Sequence, residues 1–138
     1  MGCTQVILLD THAAIWFMRN DPALGKKART MALAALEKDQ LAISAISFWE
    51  IALLVAKRRL RTLKDPTEQR RLMISAGLLE LPLTGDIALQ AVALDNLHGD
   101  PADGFIAATA IAHEATLMTA DETLLNWRSK IRRLNAQR

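Results

Sequence analysis

Apolar positions along the chain fall into short runs separated by longer stretches with helical spacing. Gln5-Val6-Ile7-Leu8-Leu9 is a run of the kind buried in a parallel sheet. It stops at Asp10-Thr11, and a helical pattern follows through Ile15, Trp16 and Met18 until Asn20-Asp21-Pro22 breaks it. Residues 26–38, rich in Ala, Leu, Lys and Arg, predict a second helix, and residues 41–44 a second strand. Ser47 is expected to cap a helix running to about residue 59. Asp65-Pro66 opens another helix, which Gly77 stops, and residues 78–81 predict a third strand. Thr84 starts a helix carrying Ile87, Leu89, Val92 and Leu94 and ending near His98-Gly99. Asp100-Pro101 is expected to cap an Ala-rich helix over residues 102–115. A strand at 116–119, a short helix at 121–127 and an edge strand at 131–134 complete the pattern. Strands that alternate with helices predict an α/β fold: one domain, 1–138, with a mostly parallel sheet flanked by helices and right-handed crossovers.

Composition narrows the class. A chain of 138 residues, 51% hydrophobic and 23% charged, is long enough for a sizeable core and fits a globular protein. No apolar run approaches the ~20 residues that span a bilayer. Val6 stands where a myristoylation signal needs Ser or Thr, and no basic segment leads into a long apolar one, so no membrane anchor or secretory leader is expected. The single cysteine, Cys3, rules out an internal disulfide and a cysteine-based zinc cage, which fits a cytoplasmic location. Net charge is only +2, but cations cluster at Lys57-Arg58-Arg59-Leu60-Arg61 with Lys64, and again at Arg128, Lys130, Arg132, Arg133 and Arg138. Such clusters suit phosphate contacts; a solvated helix end and a basic tail account for them equally well.

Four acids stand where apolar elements stop or start: Asp10, Glu50, Asp103 and Asp121. In a parallel sheet, ligands bind outside the carboxyl ends of the strands. Asp10 and Asp121 lie just past two such ends, while Glu50 and Asp103 are expected in the first turns of the helices that follow. Each alone has a structural explanation. Asp10 and Asp121 suit helix N-caps, Ser47-Phe48-Trp49-Glu50 suits a capping box, and Asp103 stands at the third position of a capped helix. Drawn to one rim, the acids would repel one another unless a divalent cation joined them. Mg²⁺ and Mn²⁺ prefer such hard oxygen ligands and serve phosphodiester hydrolysis. Thr11 and Thr119 place hydroxyls beside the acids, to hold a metal-bound water, to orient a carboxylate or only to satisfy the backbone.

These residues resemble the PIN-domain family, and within it the VapC-type toxins of bacterial toxin–antitoxin pairs. The matching stretches are Leu8-Leu9-Asp10-Thr11-His12, Ser47-Phe48-Trp49-Glu50-Ile51-Ala52, His98-Gly99-Asp100-Pro101-Ala102-Asp103-Gly104-Phe105-Ile106-Ala107-Ala108-Thr109-Ala110 and Leu117-Met118-Thr119-Ala120-Asp121, in order over nearly the whole chain. The resemblance implies a Mg²⁺- or Mn²⁺-dependent endoribonuclease that cuts single-stranded or loop RNA. It also implies a cognate antitoxin, homodimers, and acidic ligand positions at Asp10, Glu50, Asp103 and Asp121. Asp100 is a further acid nearby, better suited to a helix cap. Gly104 departs from the pattern, because relatives often carry arginine after that acid.

The remaining features are less specific. His12, His98 and His113 are scattered, and metal chemistry does not require a general-base histidine. Trp16 and Trp49 are expected in core or dimer packing, and Trp127 beside Arg128 is the better place for a base contact. Lys57, Arg58 and Arg59 are candidates for holding RNA. Two other readings stay open. One is a phosphoryl-acceptor domain of receiver or phosphatase type, although Asp10-Thr11-His12 lacks the second acid two residues on. The other is a non-catalytic module binding RNA or protein.

Overall fold

A computed structural model describes residues 5–57, 65–94, 101–127, 129 and 131–138. The described strands are β1 (Ile7–Leu9), β2 (Leu41–Ser44), β3 (Leu79–Leu81), β4 (Thr116–Thr119) and β5 (Arg133–Asn135). The helices are α1 (Thr11–Arg19), α2 (Lys26–Glu37), α3 (Ala45–Ala56), α4 (Pro66–Ala76), α5 (Gly85–Ala93), α6 (Pro101–Ala112) and α7 (Glu122–Asn126). The strands form one sheet in the order β3-β2-β1-β4-β5, with every pairing parallel. The expected α/β architecture is therefore what the chain adopts.

Alternation along the strands feeds two cores. Ile7, Leu9, Leu41, Ile43 and Met118 face one side, against α1, α2, α3 and α4. Leu8, Ala42 and Leu117 face the other, against Ile106, Ala107 and Ala110 of α6, Leu124 of α7 and Trp127. With helices on both faces, the central strands are buried at every position and mostly apolar, with Ser44, Thr116 and Thr119 at strand ends, which explains their short hydrophobic runs. The order of the strands also sets the site. The chain builds outward from β1 through β2 to β3, then returns to lay β4 on the opposite side of β1. The switch point falls between β1 and β4, where a parallel sheet opens a crevice at its carboxyl edge.

Several boundaries differ from the sequence reading, each for a local reason. Ser44, not Ser47, caps α3: it is extended (φ −78°, ψ 144°) and its hydroxyl accepts from the Ile46 N–H at 3.2 Å. Helix α3 thus begins at Ala45, and Glu50 lies in its second turn, not its first. No capping box forms between Ser47 and Glu50; both turn to α1 instead. Helix α6 ends at Ala112, before residue 115, because Glu114 takes a left-handed conformation (φ 50°) and the Ala115 N–H returns to the Ala110 carbonyl at 2.9 Å. Strand β5 is Arg133–Asn135, shifted from 131–134 so that it aligns Asn135 with Thr119. Gly77, at φ 109°, terminates α4 as expected. Helix α3 ends at Ala56, short of residue 59, and α5 ends at Ala93, short of 98–99, because Leu94 is extended (φ −72°, ψ 126°) and leaves the helix; the expected Asp100 cap and His98 fall outside the described residues.

Candidate active site

Asp10, Glu50, Asp103 and Asp121 all line one cleft of about 230 Å³ at the carboxyl edge of β1 and β4. Four separate segments deliver them. Asp10 follows β1, Asp121 follows β4, Glu50 comes from α3, and Asp103 from the first turn of α6. His12, Trp16 and Ala120 complete the lining, and no Lys or Arg is among the described residues that do so.

Asp10 is almost fully buried and is the N-cap of α1. Its Oδ1 accepts from the Thr11 N–H at 2.7 Å, and its Oδ2 accepts from the Thr119 hydroxyl at 2.6 Å. Burial pushes the Asp10 carboxyl above the ordinary aspartate value. Those two hydrogen bonds and the nearby His12 pull it down, and the Asp121 charge raises it again.

Thr119 is fully buried and links the two strand-end acids. Its hydroxyl donates to Asp10 and accepts from the Asp121 N–H at 3.0 Å. Asp121 is the N-cap of α7, its Oδ1 accepting from the Thr123 N–H at 2.8 Å. Thr11 plays the matching part for Glu50. Its hydroxyl bonds Glu50 Oε1 and lies 2.8 Å from the Ser47 hydroxyl. Thr11 has one hydroxyl proton, and an ionised Glu50 can only accept, so the proton goes to Glu50 and Ser47 donates to Thr11. Ser47 and Glu50 sit one turn apart on the α3 face that meets α1. Thr119 does both things the sequence allowed, bonding a distant carboxylate and a local backbone N–H, whereas the Thr11 hydroxyl bonds only distant side chains among the described partners.

The donor set is entirely hard oxygen, which fits Mg²⁺ or Mn²⁺. Among the described residues, no three acids or histidines close on a single point in reach of one ion. Hydrogen bonds hold Asp10 against Thr119 of β4, Glu50 against Thr11 of α1, and Asp121 against the first turn of α7. An ion that keeps several waters does not need three direct protein ligands, so a shared cleft suffices.

The other nominated residues divide. Trp16 is half-buried on the cleft wall, its ring centroid 6.2 Å from that of His12, so it belongs to the site as well as to the core margin. Trp49 is 49% exposed and not a core residue. Trp127 is buried in the core beneath α6 and α7, which removes it from any base contact. Lys57 is exposed at the C-terminus of α3 and does not line the cleft. Arg58 and Arg59 lie outside the described residues. Gly104 faces Ala91 of α5, and a Cβ there would make ordinary contact with the Ala91 carbonyl at 3.6 Å, so packing does not demand glycine.

Comparison with known proteins agrees with this geometry. The PIN-domain family model matches residues 7–128. The chain is 35% identical over 123 residues to "Ribonuclease VapC22" of Mycobacterium tuberculosis, spanning 88% of this chain and 92% of that one. A chain of a toxin-antitoxin complex from Klebsiella pneumoniae superposes with a TM-score of 0.63 at 25% identity, covering 94% of this chain and 97% of that one. A chain of VapBC2 from Rickettsia felis, bound to a DNA fragment from its promoter, superposes at 0.67 and 20% identity, covering 95% and 98%; that likeness shows the fold. A parallel sheet with four acids at its switch point, matched along 7–128, places this chain in the PIN-domain family.

Proposed function

We propose that this chain is a Mg²⁺- or Mn²⁺-dependent endoribonuclease, the toxin of a toxin–antitoxin pair, and that it hydrolyses RNA phosphodiester bonds in the four-acid cleft. The observation that carries this reading is the cleft itself: carboxylates from four distant segments of the chain line it together. Such a site is electrostatically tolerable with a divalent cation inside. The ribonuclease relative supports the reaction class.

Asp10, Glu50, Asp103 and Asp121 would hold the ion, directly or through water. A divalent ion, when bound, lowers the pKa of water and stabilises charge that develops on phosphoryl oxygens. The protein's own part is preorganisation. Thr119 fixes the Asp10 carboxylate and the start of α7 together, and Thr11 fixes Glu50 against α1. Trp16 supplies an aromatic surface at the cleft for an unstacked base.

The toxin-antitoxin structures support a protein inhibitor, which would enter the acid cleft with a basic side chain. We further propose a homodimer acting in the cytoplasm. Leu89 and Val92 of α5, 75% and 86% exposed, are apolar surface that protein partners would cover. The test is cleavage of RNA by the purified chain with Mg²⁺ or Mn²⁺ and with EDTA. Cleavage is expected only with metal, and Asp10→Asn is expected to abolish it; a fully active variant would exclude Asp10 from the reaction.

A further inference from the structure

Beside the acid cleft lies a second, larger one of about 710 Å³, and Ala120 forms part of both walls. Its polar lining is Glu122 and Asn126 of α7, Arg133 and Asn135 of β5, and Gln137 and Arg138 beyond it. Asn135 ends β5 level with Thr119 at the end of β4, so this cleft continues along the same carboxyl edge that carries Asp10 and Asp121.

Its chemistry differs from that of the acid cleft. Three carboxamides offer paired donors and acceptors, the complement of a base edge. Asn135 is held in place, its Oδ1 accepting from the Gln137 N–H at 2.9 Å. Arg133 is held too, donating to the Leu124 carbonyl at 3.1 Å and to that of Trp127. Those partners are neutral, and among the described residues no carboxylate pairs with Arg133, so its charge stays available to the cleft. Glu122 would repel a phosphate placed in the interior, which favours a neutral base there. Arg138, exposed at the rim, suits a backbone phosphate.

We propose that this cleft binds the base of a nucleotide flanking the scissile phosphate in single-stranded RNA, and so sets which sequence is cut. The proposal rests on the ribonuclease reading above. A strand lying along the sheet edge would place its reacting phosphate among the acids and its neighbouring base among the amides.

The test uses the full chain carrying Asp10→Asn, which is expected to bind RNA without cutting it, labelled with ¹⁵N. It is titrated with short single-stranded homopolymers of each of the four bases. The side-chain amide signals of Asn126, Asn135 and Gln137 are expected to move, and to move most with one base. In the active protein, the paired change Asn126→Ala and Gln137→Ala is expected to raise KM about tenfold on RNA carrying that base and to flatten the preference between bases, as the loss of one or two hydrogen bonds implies. Both positions are exposed, so the fold does not depend on them. Arg138→Gln is expected to lower the log–log salt slope of binding by about 0.7, the value for one phosphate on a single strand. Signal changes confined to the acid cleft, or an unaltered base preference in the paired variant, would overturn the proposal. Amide shifts in a protein that never cuts RNA would instead fail the ribonuclease reading and leave this cleft standing as an RNA site.

Discussion

Replacing Thr119 with valine tests whether the acids are held as a unit. The change keeps the β-branched shape in a fully buried position and deletes only the hydroxyl. Two hydrogen bonds go with it: the 2.6 Å bond to Asp10 Oδ2 and the 3.0 Å bond from the Asp121 N–H. A hydrogen bond to a charged group contributes about 1.5–3 kcal/mol, and an orphaned N–H costs about 1–3 kcal/mol. The added methyl offsets part of this, about 1 kcal/mol. A net loss of about 3 kcal/mol is expected in the metal-free protein, on the order of 10 °C in melting temperature. Held then only by the Thr11 N–H at Oδ1, the Asp10 carboxylate can turn at Oδ2, and displacement of that kind lowers kcat/KM by roughly a hundredfold. The Thr119 hydrogen bond also lowers the Asp10 pKa. Without it Asp10 stays protonated to a higher pH, so the acid limb of the rate profile should move upward. Thr119→Ser is the control, since it keeps the hydroxyl and removes one buried methyl at a cost of about 1 kcal/mol. It should stay within about fivefold of the parent in activity and share its acid limb. RNA cleavage against pH, with thermal melts in EDTA, reads both quantities. If valine and serine variants match in rate and in pH profile, the hydroxyl does not orient the acids and the reasoning fails.

Four further outcomes follow from the same geometry. Burial raises the Asp10 carboxyl above 3.8 in the folded state, so its contribution to stability is fully present below the unfolded value and is lost as pH rises through the folded one. In EDTA, wild type should therefore lose stability relative to Asp10→Asn across that window; thermal melts at stepped pH that show the opposite trend would refute the assignment. Mg²⁺ at about a hundred times its Kd should stabilise by about 2.7 kcal/mol, on the order of 10 °C, and Asp121→Asn should blunt the response in calorimetry. At Gly25 a Cβ would overlap the Arg138 backbone, and two bonds dock that segment on α2: Gly25 N–H to Ala136 at 2.9 Å and Lys27 N–H to Arg138 at 2.9 Å. Gly25→Ala should expel it, costing about 2 kcal/mol by denaturant titration and weakening RNA binding through Arg138. Trp127→Ala should cost about 3–5 kcal/mol in denaturant titration, as deletion of a buried aromatic does, with RNA affinity per folded molecule nearly unchanged.

The fold was legible because both faces of the sheet are covered. Runs such as Val6-Ile7-Leu8-Leu9 and Leu41-Ala42-Ile43 are apolar at every position, and turn residues separate them from helices. A sheet buried on both sides requires that signature. One helix start was misplaced, that of α3, where Ser44 and Ser47 are equally good caps by type. The choice fell to Ser44 because Ser47 is consumed by a contact with Thr11, 36 residues earlier in the chain. Local pattern carries no record of a partner that distant.

The site was legible in its parts and less so in its reasons. Asp10 and Asp121 do serve as N-caps, so the structural explanation for each is true, yet both also face the cleft. A capping carboxylate has two oxygens, and a helix start at a strand's carboxyl end turns that acid toward the sheet's open rim. One residue can therefore satisfy a helix and line a site, and weighing the roles as alternatives understates the acid. Glu50 shows the converse. The capping-box reading was wrong, and what holds Glu50 is Thr11 of the neighbouring helix. Tryptophan was the least readable residue. Trp127 stands beside a cation in sequence but is buried, while Trp16 stands in an apolar helix but reaches the cleft. Nearness in sequence fixes neither, because the side of the sheet each ring packs on is set by strand order. That order also places Asn135 and Thr119 side by side and gives the acid cleft a neighbour rich in amides, so the proposed base site, like the acids, follows from strand order and not from any local motif.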